Sequence, residues 1–167
     1  MKLLVVRHAI AEDREAYAAS GHDDALRPLT EQGARRMKRG ARGLRRLIPA
    51  IDTLVSSPFT RAFDTAEIVR REYQIERVET NRALEPTVSV ADAVAALQSY
   101  SANILAIVGH EPQLGRLVTY LVSGLDRSAI ELKKGSACLI EFEGIPSAAA
   151  GMLVWSIRPM VLRRLAD

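Results

Sequence analysis

Leu3, Leu4, Val5 and Val6 form an unbroken apolar run bounded by Lys2 and Arg7, and a second such run is read over residues 103–108, ending at Gly109-His110. Apolar residues without alternation mark strands covered on both faces. Residues 52–56 have the same strand character and residues 77–80 give a shorter strand. Two late runs, 137–142 and Met152–Ile157, are separated by a Gly/Pro/Ala connection and predict a hairpin. Between the strands the period changes. After Thr30, which reads as an N-cap, Ala34, Met37, Ala41, Leu44, Leu47 and Ile48 recur at helical spacing until Pro49. Ser57-Pro58 opens a helix over about residues 59–73, residues 90–100 give another, and Pro112 falls in the first turn of one running through Val122. Residues 9–29 are polar, carry Ser20-Gly21-His22-Asp23-Asp24 and Arg27-Pro28, and read as a loop.

Strands alternating with helices specify an α/β fold: a three-layer sandwich with a mainly parallel central sheet, helices on both faces and an antiparallel edge late in the chain. Ligands of such sheets bind beyond the C-terminal ends of the strands. That rule singles out Arg7-His8 and Gly109-His110.

Composition narrows the picture. A chain of 167 residues, 48% apolar and 5% aromatic, supports one core, so residues 1–167 are expected to form a single domain. The net charge of +3 suits a soluble protein that favours anions. The helix over 31–48 carries Arg35, Arg36, Lys38, Arg39, Arg42, Arg45 and Arg46 without interleaved aromatics. This pattern argues for a solvated face or a docking surface for an acidic protein, and against nucleic acid. Cys138, the one cysteine, sits in an apolar run and reads as a small buried hydrophobe. The N-terminal run resembles the start of a signal peptide, yet Arg7-His8 ends it early, and no window reaches the roughly 18 apolar residues of a membrane helix. The expectation is a soluble cytoplasmic protein with no membrane partner.

The candidate chemistry is phosphoryl transfer. A neutral imidazole at His8 is a competent nucleophile toward phosphorus, and the adjacent Arg7 charge helps to keep it unprotonated. Arg61, in the first turn of its helix, offers a planar fork for two phosphate oxygens. His110 stands at a helix start, where as an imidazolium it would donate to a phosphoryl oxygen and stabilise an in-line transition state without Mg²⁺. His22 reads as a surface residue. His110-Glu111 has no partner histidine four positions on, so a zinc hydrolase lacks support, and no G-x-x-x-x-G-K-[ST], G-x-G-x-x-G or G-x-S-x-G is present.

Arg7-His8-Ala9, Ser57-Pro58-Phe59-Thr60-Arg61-Ala62-Phe63-Asp64-Thr65-Ala66 and Gly109-His110-Glu111, in that order, resemble the signatures of the histidine phosphatase superfamily, with its phosphoglycerate mutase-like fold. The short chain, Arg27-Pro28-Leu29-Thr30-x-x-Gly33 and Val108-Gly109-His110-Glu111-Pro112 are similar to the SixA-type phosphohistidine phosphatases within it. The resemblance implies that His8 becomes phosphohistidine while Arg7, Arg61 and His110 hold the phosphoryl oxygens, with no metal or other cofactor. It places Glu85, in Leu84-Glu85-Pro86, where larger members carry a general acid. Its implied substrate is a phosphorylated protein, such as a histidine-phosphotransfer domain in signal transduction, or a small phosphoester. Ala9-Ile10-Ala11-Glu12 departs from the Gly-Glu-Ser of the mutase branch and disfavours a sugar-phosphate mutase. A module that merely binds phosphorylated partners is the alternative, against which the presence of His8 counts.

Overall fold

Both unbroken apolar runs become strands with two covered faces. The computed structural model describes residues 1–167 and contains, in chain order, β1 (Lys2–Arg7), α1 (Arg14–Ala19), α2 (Glu31–Leu47), β2 (Thr53–Ser56), α3 (Thr60–Tyr73), β3 (Glu79–Thr80), α4 (Val90–Gln98), β4 (Ile104–Gly109), α5 (Gln113–Ser123), β5 (Ala137–Glu141), β6 (Met152–Ile157) and α6 (Pro159–Arg164). Six strands form one sheet in the order β3-β2-β4-β1-β5-β6. The first four run parallel, while β5 pairs antiparallel with β1 and β6 antiparallel with β5. The α/β class and the late antiparallel hairpin are as the pattern predicts, with a bulge between Leu139 and Ile140.

The pleat divides the apolar runs between two cores. Leu3 and Val5 face a layer supplied by α4 and α5 (Ala93, Leu97, Leu114, Leu117), whereas Leu4 and Val6 face α2, α3 and α6 (Met37, Leu44, Ala62, Ala66, Leu162). Each fully buried leucine contributes about 1.5–3 kcal/mol by leaving water. Two glycines let α2 come close to its neighbours. A Cβ on Gly33 would lie 2.0 Å from the Ile10 carbonyl oxygen, and one on Gly43 1.8 Å from that of Leu162. Thr30 caps the same helix, accepting from Gly33 N–H at 2.9 Å.

Several local readings change. Residues 9–29 contain α1 and a 3-10 turn at Asp24–Leu26, capped by Asp13 and Asp23, whose carboxylates accept from the Ala16 and Ala25 N–H groups, each at 2.9 Å. No residue of α1 is buried, so it had no apolar face to read. The same reason hides α6, in which Leu162 alone is buried. Phe59 and Pro112 are N-caps rather than first-turn residues, α4 stops at Gln98, and Leu47 is exposed at the end of α2. No helix is long and apolar enough to cross a membrane.

Candidate active site

Register brings the two histidines together. Arg7 lies opposite Gly109 in the parallel pair of β1 and β4, so His8 and His110 leave the sheet side by side, with ring centroids 5.1 Å apart. From β1 the chain returns beyond β4, and from β4 it returns beyond β1, which opens the crevice at this edge. Both rings are buried.

His8 is oriented by backbone. Its N–H donates to the Gly109 carbonyl at 3.0 Å, and its Nδ1 lies 2.7 Å from the Ala9 carbonyl. A carbonyl oxygen can only accept, so Nδ1 carries the proton and Nε2 keeps its lone pair. Burial lowers the His8 pKa to about 3, aided by the charges of Arg61, Arg7 and Lys134 and opposed by the Ala9 carbonyl. The unprotonated imidazole expected from the sequence is thus reached mainly by desolvation, with Arg7 as one of several helpers.

His110 differs from its expected state. Its Nε2 lies 2.9 Å from Ser57 Oγ, which itself accepts from the Phe59 N–H at 3.3 Å. With the Ser57 hydroxyl proton directed at Nε2, the neutral ring would carry its own proton on Nδ1. Burial, then the neighbouring His8 and Arg61, lowers its pKa to about 2. Burial and the nearby Arg61 and Arg7 charges therefore favour the neutral ring over the imidazolium.

The long motif around Arg61 explains itself in place. Ala62 and Ala66 are fully buried, allowing α3 to lie close against the sheet. Thr65 Oγ1 donates to the Arg61 carbonyl at 2.7 Å and accepts from the Ala9 N–H at 3.0 Å, which ties the helix to the segment after His8. The Arg61 guanidinium stands 5.1 Å from the Phe59 ring and donates to the Asp24 carbonyl oxygen at 2.7 Å, with Nη2 3.1 Å from the Asp24 carboxylate. Arg7 Nη1 donates to the Leu132 carbonyl at 2.6 Å. Arg7 Nε, Arg61 Nε and His110 Nδ1 remain buried without a protein partner; Tyr73 Oη and Gln113 Oε1 are the other two such atoms in the chain. Three of the five unpartnered buried polar atoms thus belong to side chains that line one cavity, and all three are nitrogens of side chains suited to an anion.

These side chains line a cavity of about 690 Å³, which also takes in Arg27, Lys134, Asp24 and Glu111. None of those four was assigned to the site from sequence. Arg27 stood in the Arg27-Pro28-Leu29-Thr30 segment, which carried the resemblance without a role. Here its Nε donates to the Asp24 carboxylate at 2.8 Å and its Nη1 to the Glu12 carbonyl at 2.8 Å. Burial raises the Asp24 pKa, but Arg27, Arg61 and Arg14 outweigh it and hold the carboxyl below its ordinary value. Glu111 accepts from the N–H groups of Leu132 at 2.8 Å and Gly115 at 3.2 Å. Glu85 follows the 3-10 turn Arg82–Leu84, accepts from Arg82 Nε at 3.2 Å, and is absent from the cavity lining, which takes Pro86 and Thr87 instead.

Residues 3–86 match the histidine phosphatase superfamily (branch 1). The chain belongs to this superfamily. It is 34% identical over 137 residues to an uncharacterized protein of Picosynechococcus sp., covering 80% of this chain and 81% of that one. Its fold is similar to that of the protein histidine phosphatase SixA complexed with tungstate, with a TM-score of 0.82 and 24% identity over 97% of this chain and 99% of the other. A mycobacterial glucosyl-3-phosphoglycerate phosphatase complexed with inorganic phosphate gives a TM-score of 0.70 and 16% identity, covering 95% and 98% of the two chains. In this superfamily member no three His, Cys, Asp or Glu side chains gather into a metal-binding cluster. Cys138 is buried in β5 with its thiol pushed up to about 12 by desolvation, and His22 stacks on Tyr17 outside the cavity lining.

Proposed function

We propose that this superfamily member is a metal-independent phosphatase of the SixA type that removes phosphate from histidine on a protein, through a phosphohistidine formed on His8. His8 Nε2 attacks phosphorus, forming an N–P bond as the bond to the leaving nitrogen breaks. The leaving imidazole takes the electron pair and a solvent proton. Water then attacks phosphorus in the second step, restoring neutral His8 and releasing inorganic phosphate. Arg7, Arg61 and the His110 Nδ1–H would bind the equatorial oxygens, whose charge grows along the path. The observation that carries the reading is the trio of unpartnered nitrogens on Arg7, Arg61 and His110 around a neutral His8.

A phosphohistidine substrate suits the carboxylates at hand. Asp24 is held ionised by arginines, Glu111 is engaged by two backbone N–H groups, and Glu85 is paired with Arg82. Asp24, held ionised, is no ready proton donor for an alkoxide, whereas a departing imidazole needs less help. The second reading, a small-phosphoester phosphatase, is favoured by Pro86 and Thr87 at the cavity wall, which put Glu85 one residue from the site. It is also supported by the fold shared with the mycobacterial phosphatase.

Rapid quench with radiolabelled substrate tests the mechanism: an acid-labile, base-stable label on the native chain that is absent from His8→Ala is the expected result. Rates on a phosphohistidine protein and on p-nitrophenyl phosphate, with EDTA present, separate the substrates and test metal independence. A Glu85→Gln variant that loses ester hydrolysis alone would establish Glu85 as the acid for the second reading.

A further inference from the structure

Beside the active-site cavity, on the other side of Lys134, lies a second cavity of about 280 Å³ whose rim is wholly cationic. Arg36 from α2, Lys133 and Lys134 from the turn before β5, and Arg158 and Arg163 around α6 form its wall, and no acidic residue lines it. Its floor is apolar, with Ile10, Met37, Pro159 and Met160. Lys133 pairs with Glu131 at 2.6 Å, but Arg36, Lys134, Arg158 and Arg163 take part in none of the ion pairs of the chain. Elsewhere on α2, Arg35 pairs with Glu31, Arg39 with Asp167, and Arg42 and Arg45 with Glu72, while Lys38 and Arg46 make no side-chain ion pair. Four cations without an ion pair, Arg36, Lys134, Arg158 and Arg163, therefore meet at the groove. Burial and the neighbouring Arg36 and Arg39 charges both lower the Arg163 pKa, so an anion there would relieve a standing repulsion.

The groove is coupled mechanically to the nucleophile. Gly135, at φ +78°, closes the lysine turn and donates its N–H toward the carbonyls of Arg7 at 3.2 Å and His8 at 3.1 Å. Lys134 stands on this turn and lines both cavities. A chain entering the active site can thus continue into the groove past one residue.

We propose that the groove docks an acidic, partly apolar segment of the phosphoprotein substrate, next to the residue that bears the phosphoryl group; the proposal rests on the reading that a protein is the substrate. Carboxylates of the segment meet Arg36, Arg158 and Arg163, and an apolar side chain lies on Met37 and Met160, whose flexible thioethers adapt to varied shapes. Arg36, Arg158 and Arg163 lie outside the active-site cavity, so docking and chemistry can be broken independently.

The experiment uses two phosphohistidine peptides of the same length, one with glutamate and leucine flanking the phosphohistidine and one with glutamine in place of glutamate, with p-nitrophenyl phosphate as the small substrate. The native chain is expected to favour the acidic peptide by about tenfold in kcat/KM, the order produced by a few exposed ion pairs acting together. Arg158→Glu/Arg163→Glu should abolish that preference while turning over p-nitrophenyl phosphate at the native rate. Anisotropy of the fluorescein-labelled, unphosphorylated acidic peptide should show salt-sensitive binding that the double variant and Arg36→Glu lose. Equal kcat/KM on the two peptides, or peptide binding unchanged by charge reversal, overturns the docking site. Loss of p-nitrophenyl phosphate turnover in a double variant with native thermal stability also overturns it, since the groove would then belong to the chemistry. If labelled peptide binds through the groove but neither phosphohistidine peptide is hydrolysed, the phosphohistidine reading fails while the acidic-segment site stands.

Discussion

The arginines of the active-site cavity and those on the outer face of α2 are alike in charge and opposite in circumstance. Arg61 is 4% exposed and keeps a buried Nε without a partner, whereas the Arg42 side chain is 66% exposed and faces Glu72 at 4.0 Å. A desolvated guanidinium at a cavity wall interacts strongly with any anion that enters, even while Asp24 holds Arg61 at 3.1 Å; the charge of an exposed one is screened by water and salt. Positive charge is thus a weak signal by itself, and burial at a cavity wall is the informative one.

The sharpest way to break this contrast is at the nucleophile. His8→Ala should abolish turnover with the fold retained by circular dichroism, and measurable native-like activity in that variant would remove His8 from the mechanism. Next, Arg61→Ala should lower kcat by about 10²- to 10³-fold, the usual loss for one donor to a developing anionic charge. An effect no larger than that of Arg42→Ala would erase the distinction between the two sets of arginines.

Gly33→Ala tests how the site is held. The added Cβ would collide with the Ile10 carbonyl, two residues after His8, so stability should fall by about 1–3 kcal/mol and activity with it. Unchanged melting and kinetics would show that the segment after His8 gives way freely.

Acid provides a further test of burial. His8 and His110 have folded pKa values of about 3 and about 2, below the ordinary 6.5. On acidification from pH 6.5 toward 3 the unfolded chain takes up protons that the folded chain refuses, so stability is lost as the pH falls through that window. Melting temperatures of the native chain should decline there more steeply than those of His8→Asn; parallel profiles would place His8 in a more solvated setting. The smallest effect is expected on the outer face of α2, where Arg42→Ala should leave kcat/KM unchanged and shift stability by less than about 0.5 kcal/mol.

Much of the fold was legible because the strands are continuous apolar runs and the long helices carry wide apolar faces. The hairpin of β5 and β6 could be read for the same reason. The short helices α1 and α6 could not be read, since a six-residue helix with at most one buried position leaves no periodic trace. Of the site, His8, Arg7, Arg61 and His110 were all named in advance and all line one cavity, whereas Glu85 is paired with Arg82 beside it. Arg27, Asp24, Lys134 and Glu111 were given no role in the site because a charged residue in a polar segment looks the same whether it faces water or a cavity.

The sequence by itself determined which strand ends carry histidine and which helix start carries arginine, because hydrophobic period and capping are local properties written along the chain. Only the tertiary structure decided that β1 and β4 are neighbours in a register that sets the two histidines side by side, that desolvation keeps both neutral, and that Asp24 meets Arg61. Proximity and loss of water arise between segments far apart in the chain, and a protonation state or a cationic groove follows from that assembly.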